Sequence, residues 1–252
     1  MEDQGRDVSV PNEFEEKIGR LCKSQAYLDF CLEVYGYRLP LFNMMDQEQF
    51  EYLFSEANLT KHDTILDLGC GTGSLLKYAA EKFFCKGVGI DLLSKALLTS
   101  DSDSVRFLSG DIDHFTEFDV KPTVTFCIDS LYFSKGLSEL LHQIHSLQNN
   151  RAFLFYSQYI FDEKTSGRTI LKADHTLVAE ALKRRDIPYR AVDFSGNEQA
   201  LYRSSLTALK RIKKDFLLEG NSDLYERLLA DNLLGKQLYD TGRASRYLYI
   251  LL

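Results

Sequence analysis

Between Thr64 and Leu93 the chain reads TILDLGCGTGSLLKYAAEKFFCKGVGIDLL, with a carboxylate at Asp67, three glycines within five residues (Gly69, Gly71, Gly73) and a second carboxylate at Asp91. Glycines so spaced remove side chains where a backbone must turn sharply and meet a ligand directly. Asp91, eighteen residues beyond Gly73, stands at the end of the next apolar run, where an acid accepts hydrogen bonds from both hydroxyls of a ribose. Asp67 at the mouth of the turn would repel a pyrophosphate and suit a cation. The ligand so described is a nucleoside carrying positive charge and no phosphate. S-adenosylmethionine, with its ammonium and sulfonium, has that chemistry.

Positioning these groups requires an apolar strand on each side of the glycine turn and a helix between. The pattern predicts strands at 63–68, 86–91, 105–109, 123–129, 151–157, 189–194 and 247–252. Helices are expected at 13–35, from Asp46 onward, and at 73–82, 93–99, 135–147 and 170–185, with a helical block at 197–240. Helices between nearly continuous apolar strands imply right-handed crossovers and a mostly parallel sheet covered on both faces. Two units are expected: residues 1–60 as N-terminal helices forming part of a substrate cover, and 61–252 as the core, with a helical insertion at about 197–240.

The run Asp67-Leu-Gly-Cys-Gly-Thr-Gly73, with Asp91 in GVGID and Asp111 in FLSGDI, resembles the signature of the Rossmann-like S-adenosylmethionine-dependent methyltransferases. The resemblance covers about 190 residues, from Lys61 onward. It implies an α/β fold with a mostly parallel seven-stranded sheet and a helical cover. It also implies S-adenosyl-L-methionine as cofactor, with S-adenosyl-L-homocysteine as product. By the same resemblance Asp67, Gly69, Cys70, Gly71, Gly73, Asp91, Leu92, Asp111, Ile112 and Asp129 bind the cofactor, Asp111 meeting the adenine amino group and Ile112 packing on the ring. The fourth strand, VTFCIDSLYF, would end beside the methyl donor.

Methyl transfer is an in-line displacement on an activated carbon, so the protein's main task is alignment. A base is needed only when the acceptor must lose a proton early. His114, Tyr132 and His175 are the candidates for that role. Tyr27, Tyr37, Tyr132, Tyr202 and Arg203, on the segments outside the sheet, are the candidates for substrate contact. His142 and His145 share a helix face without a nearby third ligand, and the fifth strand ends FLFYSQ without an acid, so no metal is expected.

A net charge of −7 over 252 residues argues against affinity built on phosphate neutralisation. The five cysteines are odd in number, form no CxxC pair and read as reduced thiols. With an acidic N-terminus, no leader pattern and no long apolar run, the expectation is a cytoplasmic protein without a membrane partner. The reading is therefore a methyltransferase acting on an N or O of a small, partly apolar molecule. Alternatives left open are a nucleic-acid or protein methyltransferase, a regulator that keeps only the cofactor pocket, and a nicotinamide-dependent reductase using Tyr78 and Lys82.

Overall fold

A computed structural model describes residues 12–93, 102–162 and 168–252. Seven strands, β1 (Thr64–Leu68), β2 (Lys86–Asp91), β3 (Val105–Ser109), β4 (Val124–Ile128), β5 (Arg151–Tyr159), β6 (Tyr189–Asp193) and β7 (Ala244–Leu251), form one sheet in the order β3-β2-β1-β4-β5-β7-β6. The first five pair in parallel, while β7 runs antiparallel between β5 and β6. This is the mostly parallel seven-stranded sheet that the sequence pattern implied.

Alternation along each strand divides the core between two faces. Ile65, Phe126, Phe153, Phe155, Leu248 and Ile250 point to one side, and Leu66, Cys127, Leu154, Tyr156 and Tyr249 to the other. Each buried Leu or Phe contributes roughly 1.5–3 kcal/mol of transfer free energy. The first side carries α1 (Asn12–Lys23), α2 (Gln25–Tyr35), α3 (Gln47–Ala57), α4 (Ser74–Phe83), α7 (Ser195–Leu218) and α8 (Ser222–Asp240). The second carries α5 (Leu137–His145) and α6 (Leu177–Lys183).

Several boundaries differ from the sequence pattern for local reasons. The helix expected at 13–35 is two helices, because the Ser24 side chain accepts a hydrogen bond from the Tyr27 amide and caps α2. The helix expected at 170–185 is one 3-10 turn at 169–171 followed by α6, which starts only where Thr176 caps the Ala179 amide. The block at 197–240 is divided by Gly220, at φ 73°, into α7 and α8. The last strand begins at Ala244, three residues before the expected Tyr247. Beyond Leu93, the helix expected at 93–99 lies outside the described residues.

The N-terminal helices are tied to the far end of the chain. Arg20 makes a two-pronged ion pair with Asp223 at 2.7 and 2.8 Å and reaches Asn221 at 3.0 Å. The Glu219 carboxylate accepts from Ser24 and from the Ala26 amide. Together these bonds fix the junction of α1 and α2 against the turn between α7 and α8. Among the described residues no helix is long and apolar enough to cross a membrane. The five cysteines are all free thiols.

Candidate active site

At the carboxyl ends of β1, β2 and β4, where the connectivity switches direction, the sheet opens into a cavity of 680 Å³. Open α/β sheets form their ligand crevice at such a switch point. The glycine turn makes its floor. Gly69 and Cys70 donate their amides to the Ile90 carbonyl at 2.8 and 3.2 Å, pinning the turn to β2.

Two glycines are required for different reasons. Gly69 sits at φ 75°, and a Cβ there would run into the Ser130 side chain. Gly71 sits at φ 57° with nothing within 4 Å of where its Cβ would be, so its backbone borders open space inside the cavity. Gly73 does not line the cavity: the Phe107 ring fills the place of its Cβ, so it serves the packing of α4 on the sheet. Cys70, Leu92, Ile112 and the unanticipated Thr72 and Ser74 do line it.

Four carboxylates border the cavity, each in a different state. Asp67, at 3% exposure, receives no hydrogen bond from any described residue. Burial, reinforced by the charge of Asp91, pushes its carboxyl up to about 7. Asp91 accepts from the Gly71 amide at 2.7 Å and from the Leu93 amide at 3.0 Å. Burial raises Asp91 above the usual carboxylate range although these amides pull it down. Each of its oxygens keeps capacity for a further donor. Asp111 accepts from the Asp113 amide at 3.0 Å, with the Lys135 ammonium 4.0 Å away.

Asp129, at φ 53°, is held by a partner the sequence reading missed. Arg246 on β7, fully buried, donates to both Asp129 oxygens at 2.6 and 3.0 Å. Burial alone would lower the guanidinium; the charges of Asp129 and of Glu198, 3.9 Å away, outweigh it and hold the group protonated. Glu198, also fully buried, accepts from Ser157 and Tyr159 at 2.8 Å and from Tyr239. Burial raises Glu198 against the pull of Arg246.

The expected bases lie elsewhere. His114 is 65% exposed beside Glu117, and His175 is 41% exposed between Asp174 and Glu180. The Tyr132 hydroxyl accepts from the Ser157 amide at 2.7 Å and donates to its carbonyl at 3.2 Å, and its ring stacks on Tyr156. Burial, then the charge of Asp129, drives that hydroxyl well above the usual tyrosine range. None of the three borders the cavity. A strand-end position for Tyr132 was legible; its hydroxyl facing the backbone of β5 was not.

The expected substrate contacts are displaced in the same way. Tyr27 donates to the Leu41 carbonyl at 2.5 Å and stacks behind Phe42, so it supports the cavity wall without reaching the cavity. Tyr37 packs on Phe50 and Tyr78, Tyr202 joins the buried hydroxyls around Glu198, and Arg203 pairs with Asp240 near the surface. The walls beyond the glycine turn come instead from Phe14 and Ile18 of α1, from Pro40 to Asn43, and from Leu93, Phe133 and Lys135. Tyr78 and Lys82 lie together on α4, away from the cavity, with Lys82 over the Phe54 ring. Among the described residues no group of three or more His, Cys, Asp or Glu is placed to hold a metal ion.

Comparison with known proteins bears on the family and the fold. Residues 46–187 match the family described as FtsJ-like methyltransferase. YqeM of Bacillus subtilis (strain 168), named a methyltransferase without a stated acceptor, is 36% identical over 98 residues, 36% of this chain and 39% of that relative. The Haemonchus contortus phosphoethanolamine N-methyltransferase 2, solved with phosphomonomethylethanolamine and S-adenosylhomocysteine, superposes with a TM-score of 0.73 at 13% identity. That match covers 96% of this chain and 61% of the other. The cyclopropane synthase MmaA2 from Mycobacterium tuberculosis superposes with a TM-score of 0.69 at 13% identity, covering 97% of this chain and 99% of the other. At such identities the likeness is one of fold. The chain thus spans less than two thirds of both YqeM and the Haemonchus enzyme.

Proposed function

The chain belongs to the FtsJ-like methyltransferase family, and from that premise we propose that it transfers a methyl group from S-adenosylmethionine to an N or O of a small, largely apolar molecule. The observation that carries the cofactor is Asp67: a buried carboxylate, unpartnered among the described residues, bordering a cavity. Such a group is costly to bury unless a cation arrives to meet it.

The fit extends beyond that one charge. In this reading Asp91 takes the ribose hydroxyls and Asp111 and Ile112 the adenine, which is supported by their lining one cavity and by the open space at Gly71. When bound, S-adenosylmethionine supplies a methyl group already activated by its sulfonium. The protein's own contribution is to bind, align and exclude water. Among the described residues no histidine or tyrosine borders the cavity, and Arg246 holds Asp129 as an ion pair. We read the acceptor as entering with a neutral nucleophile and giving its proton to solvent or to a bordering carboxylate after the methyl has begun to move.

The acceptor class follows from the walls. Phe14, Ile18, Pro40, Leu41, Phe42 and Phe133 extend the cavity beyond the glycine turn as an apolar chamber. The volume of 680 Å³ lies within the ~300–1,000 Å³ range of small-molecule sites. We read the helices before β1, together with α7 and α8, as the cover. Free thiols and acidic charge favour a cytoplasmic setting and disfavour a nucleic-acid acceptor.

Two measurements test this. Calorimetry with S-adenosylhomocysteine should show one site per chain, abolished by Asp91→Ala; undiminished binding would refute the cofactor assignment. Incubation with isotope-labelled S-adenosylmethionine and a cell extract, followed by mass analysis, should place the label in the fraction that passes a small-pore filter and survives nuclease. Label confined to RNA would overturn the acceptor class and leave the cofactor standing.

A further inference from the structure

The segment from Pro40 to Asn43 forms one wall of the cavity, yet it belongs to no helix or strand. Its placement depends on what grips it just beyond, at Met44. The Met44 amide donates to Asp129 Oδ2 at 2.8 Å. The Met44 carbonyl accepts from Gln49 Nε2 at 3.2 Å. Both gripping side chains end on the same guanidinium: Arg246 donates to Gln49 Oε1 at 2.7 Å and to the two Asp129 oxygens at 2.6 and 3.0 Å. The result is a closed ring in which one buried arginine holds both polar groups of Met44 through two intermediaries.

We infer that Arg246 is a positioning residue for the acceptor chamber: from β7 it fixes the 40–46 wall over the end of β4 without bordering the cavity itself. The chemistry requires arginine. Only a planar fork reaches two carboxylate oxygens and an amide oxygen at once, and its charge is needed to bury Asp129. Gln49 and Arg246 are both fully buried, so water does not compete for the ring. The wall is further tied at Leu41, whose carbonyl accepts from Tyr27. At the start of α3, Asp46 accepts from Asn197 of α7. Met44, between these two ties, is the link that the sheet itself supplies. The inference rests on the proposed function only in treating the chamber as the place of the acceptor.

The test uses the full chain, with Arg246→Lys and Gln49→Met compared with wild type. Arg246→Lys keeps the buried charge but not the fork; Gln49→Met removes one arm with no change of charge and decides the matter if the lysine variant fails to fold. Hydrogen–deuterium exchange of peptides spanning 39–46 should accelerate about tenfold, the effect of losing one buried hydrogen bond, while peptides spanning 64–73 stay within about twofold. S-adenosylhomocysteine affinity should stay within about threefold. In methylation of a dilution series of extract, the half-saturating amount should rise while the rate at saturation holds. Unchanged exchange at 39–46 in a folded Gln49→Met protein overturns the inference, as does equal acceleration everywhere. Loss of S-adenosylhomocysteine binding in wild type would strike the proposed function instead and leave the exchange result to judge the ring.

Discussion

Replacing Asp67 by asparagine should make the unliganded protein more stable while removing its affinity for the cofactor. A carboxyl raised from 3.8 to about 7 is held more tightly protonated in the folded state than in the unfolded chain. The stability this contributes is fully present below pH 3.8 and is lost as pH rises to about 7. The pH-dependent cost of burying the group is therefore only about 0.5 kcal/mol at pH 4. It amounts to about 1.5 kcal/mol at pH 5 and about 3 kcal/mol at pH 6, and levels off near 4 kcal/mol above pH 7. An asparagine side chain has the same shape and no charge to desolvate. Urea unfolding of both proteins from pH 5 to pH 8 should show a stability gap in favour of the variant that widens by roughly 2–3 kcal/mol. Affinity for S-adenosylhomocysteine should move oppositely in wild type, being about tenfold weaker at pH 6 than at pH 8, because the ammonium meets an ionised carboxylate in only a small fraction of molecules. Two unfolding curves separated by a constant gap across this range would refute the reasoning, since the carboxyl would then be titrating at its ordinary value.

Gly71→Ala should fold with a loss of about 1 kcal/mol from its left-handed backbone, yet weaken cofactor binding at least tenfold by titration calorimetry. Gly69→Ala, whose Cβ meets Ser130, should instead lower the melting temperature by roughly 10 °C in a calorimetric scan. Tyr132→Phe should cost roughly 1–2 kcal/mol in urea unfolding by leaving the Ser157 amide unpaired, with the pH profile of methyl transfer unmoved. His114→Ala and His175→Ala should leave that profile unmoved as well. Cys70, whose thiol burial raises first, followed by the charges of Asp67 and Asp91, should react slowly with a thiol reagent at pH 8, and more slowly still with S-adenosylhomocysteine present. Cys31, raised to about 12 by burial, should react only on unfolding.

What was legible in the sequence was local chemistry. The acid, the glycine turn and the next strand's terminal acid lie within about thirty residues, and each residue type has one backbone or ligand reason to be there. What escaped was chemistry assembled from distant segments. Arg246 lies one residue before the strand expected at 247–252, although a period of two carried back from Leu248 and Ile250 puts it on their face. A charge in that register was the available signal that a buried counter-ion existed. Glu198 carried the same signal on α7, three and four residues before the buried Leu201 and Tyr202. The tyrosines expected as substrate contacts are engaged elsewhere for the converse reason: each hydroxyl or ring found a partner inside the protein, and the wall fell to Phe14, Ile18 and the irregular 40–43 segment.

The grip on Met44 also has a kinetic meaning for how the molecule comes together. Arg246 joins Gln49 across 197 residues and Asp129 across 117, whereas Gly71 joins Asp91 across 20. Long loops close late because their ordering entropy must be met before their contacts repay it. On that ordering the glycine turn is expected to form early against Asp91, and the 40–46 wall is expected to be completed only when the final strand inserts between β5 and β6. A partly folded chain would then have its glycine turn in place while the wall above it was still open.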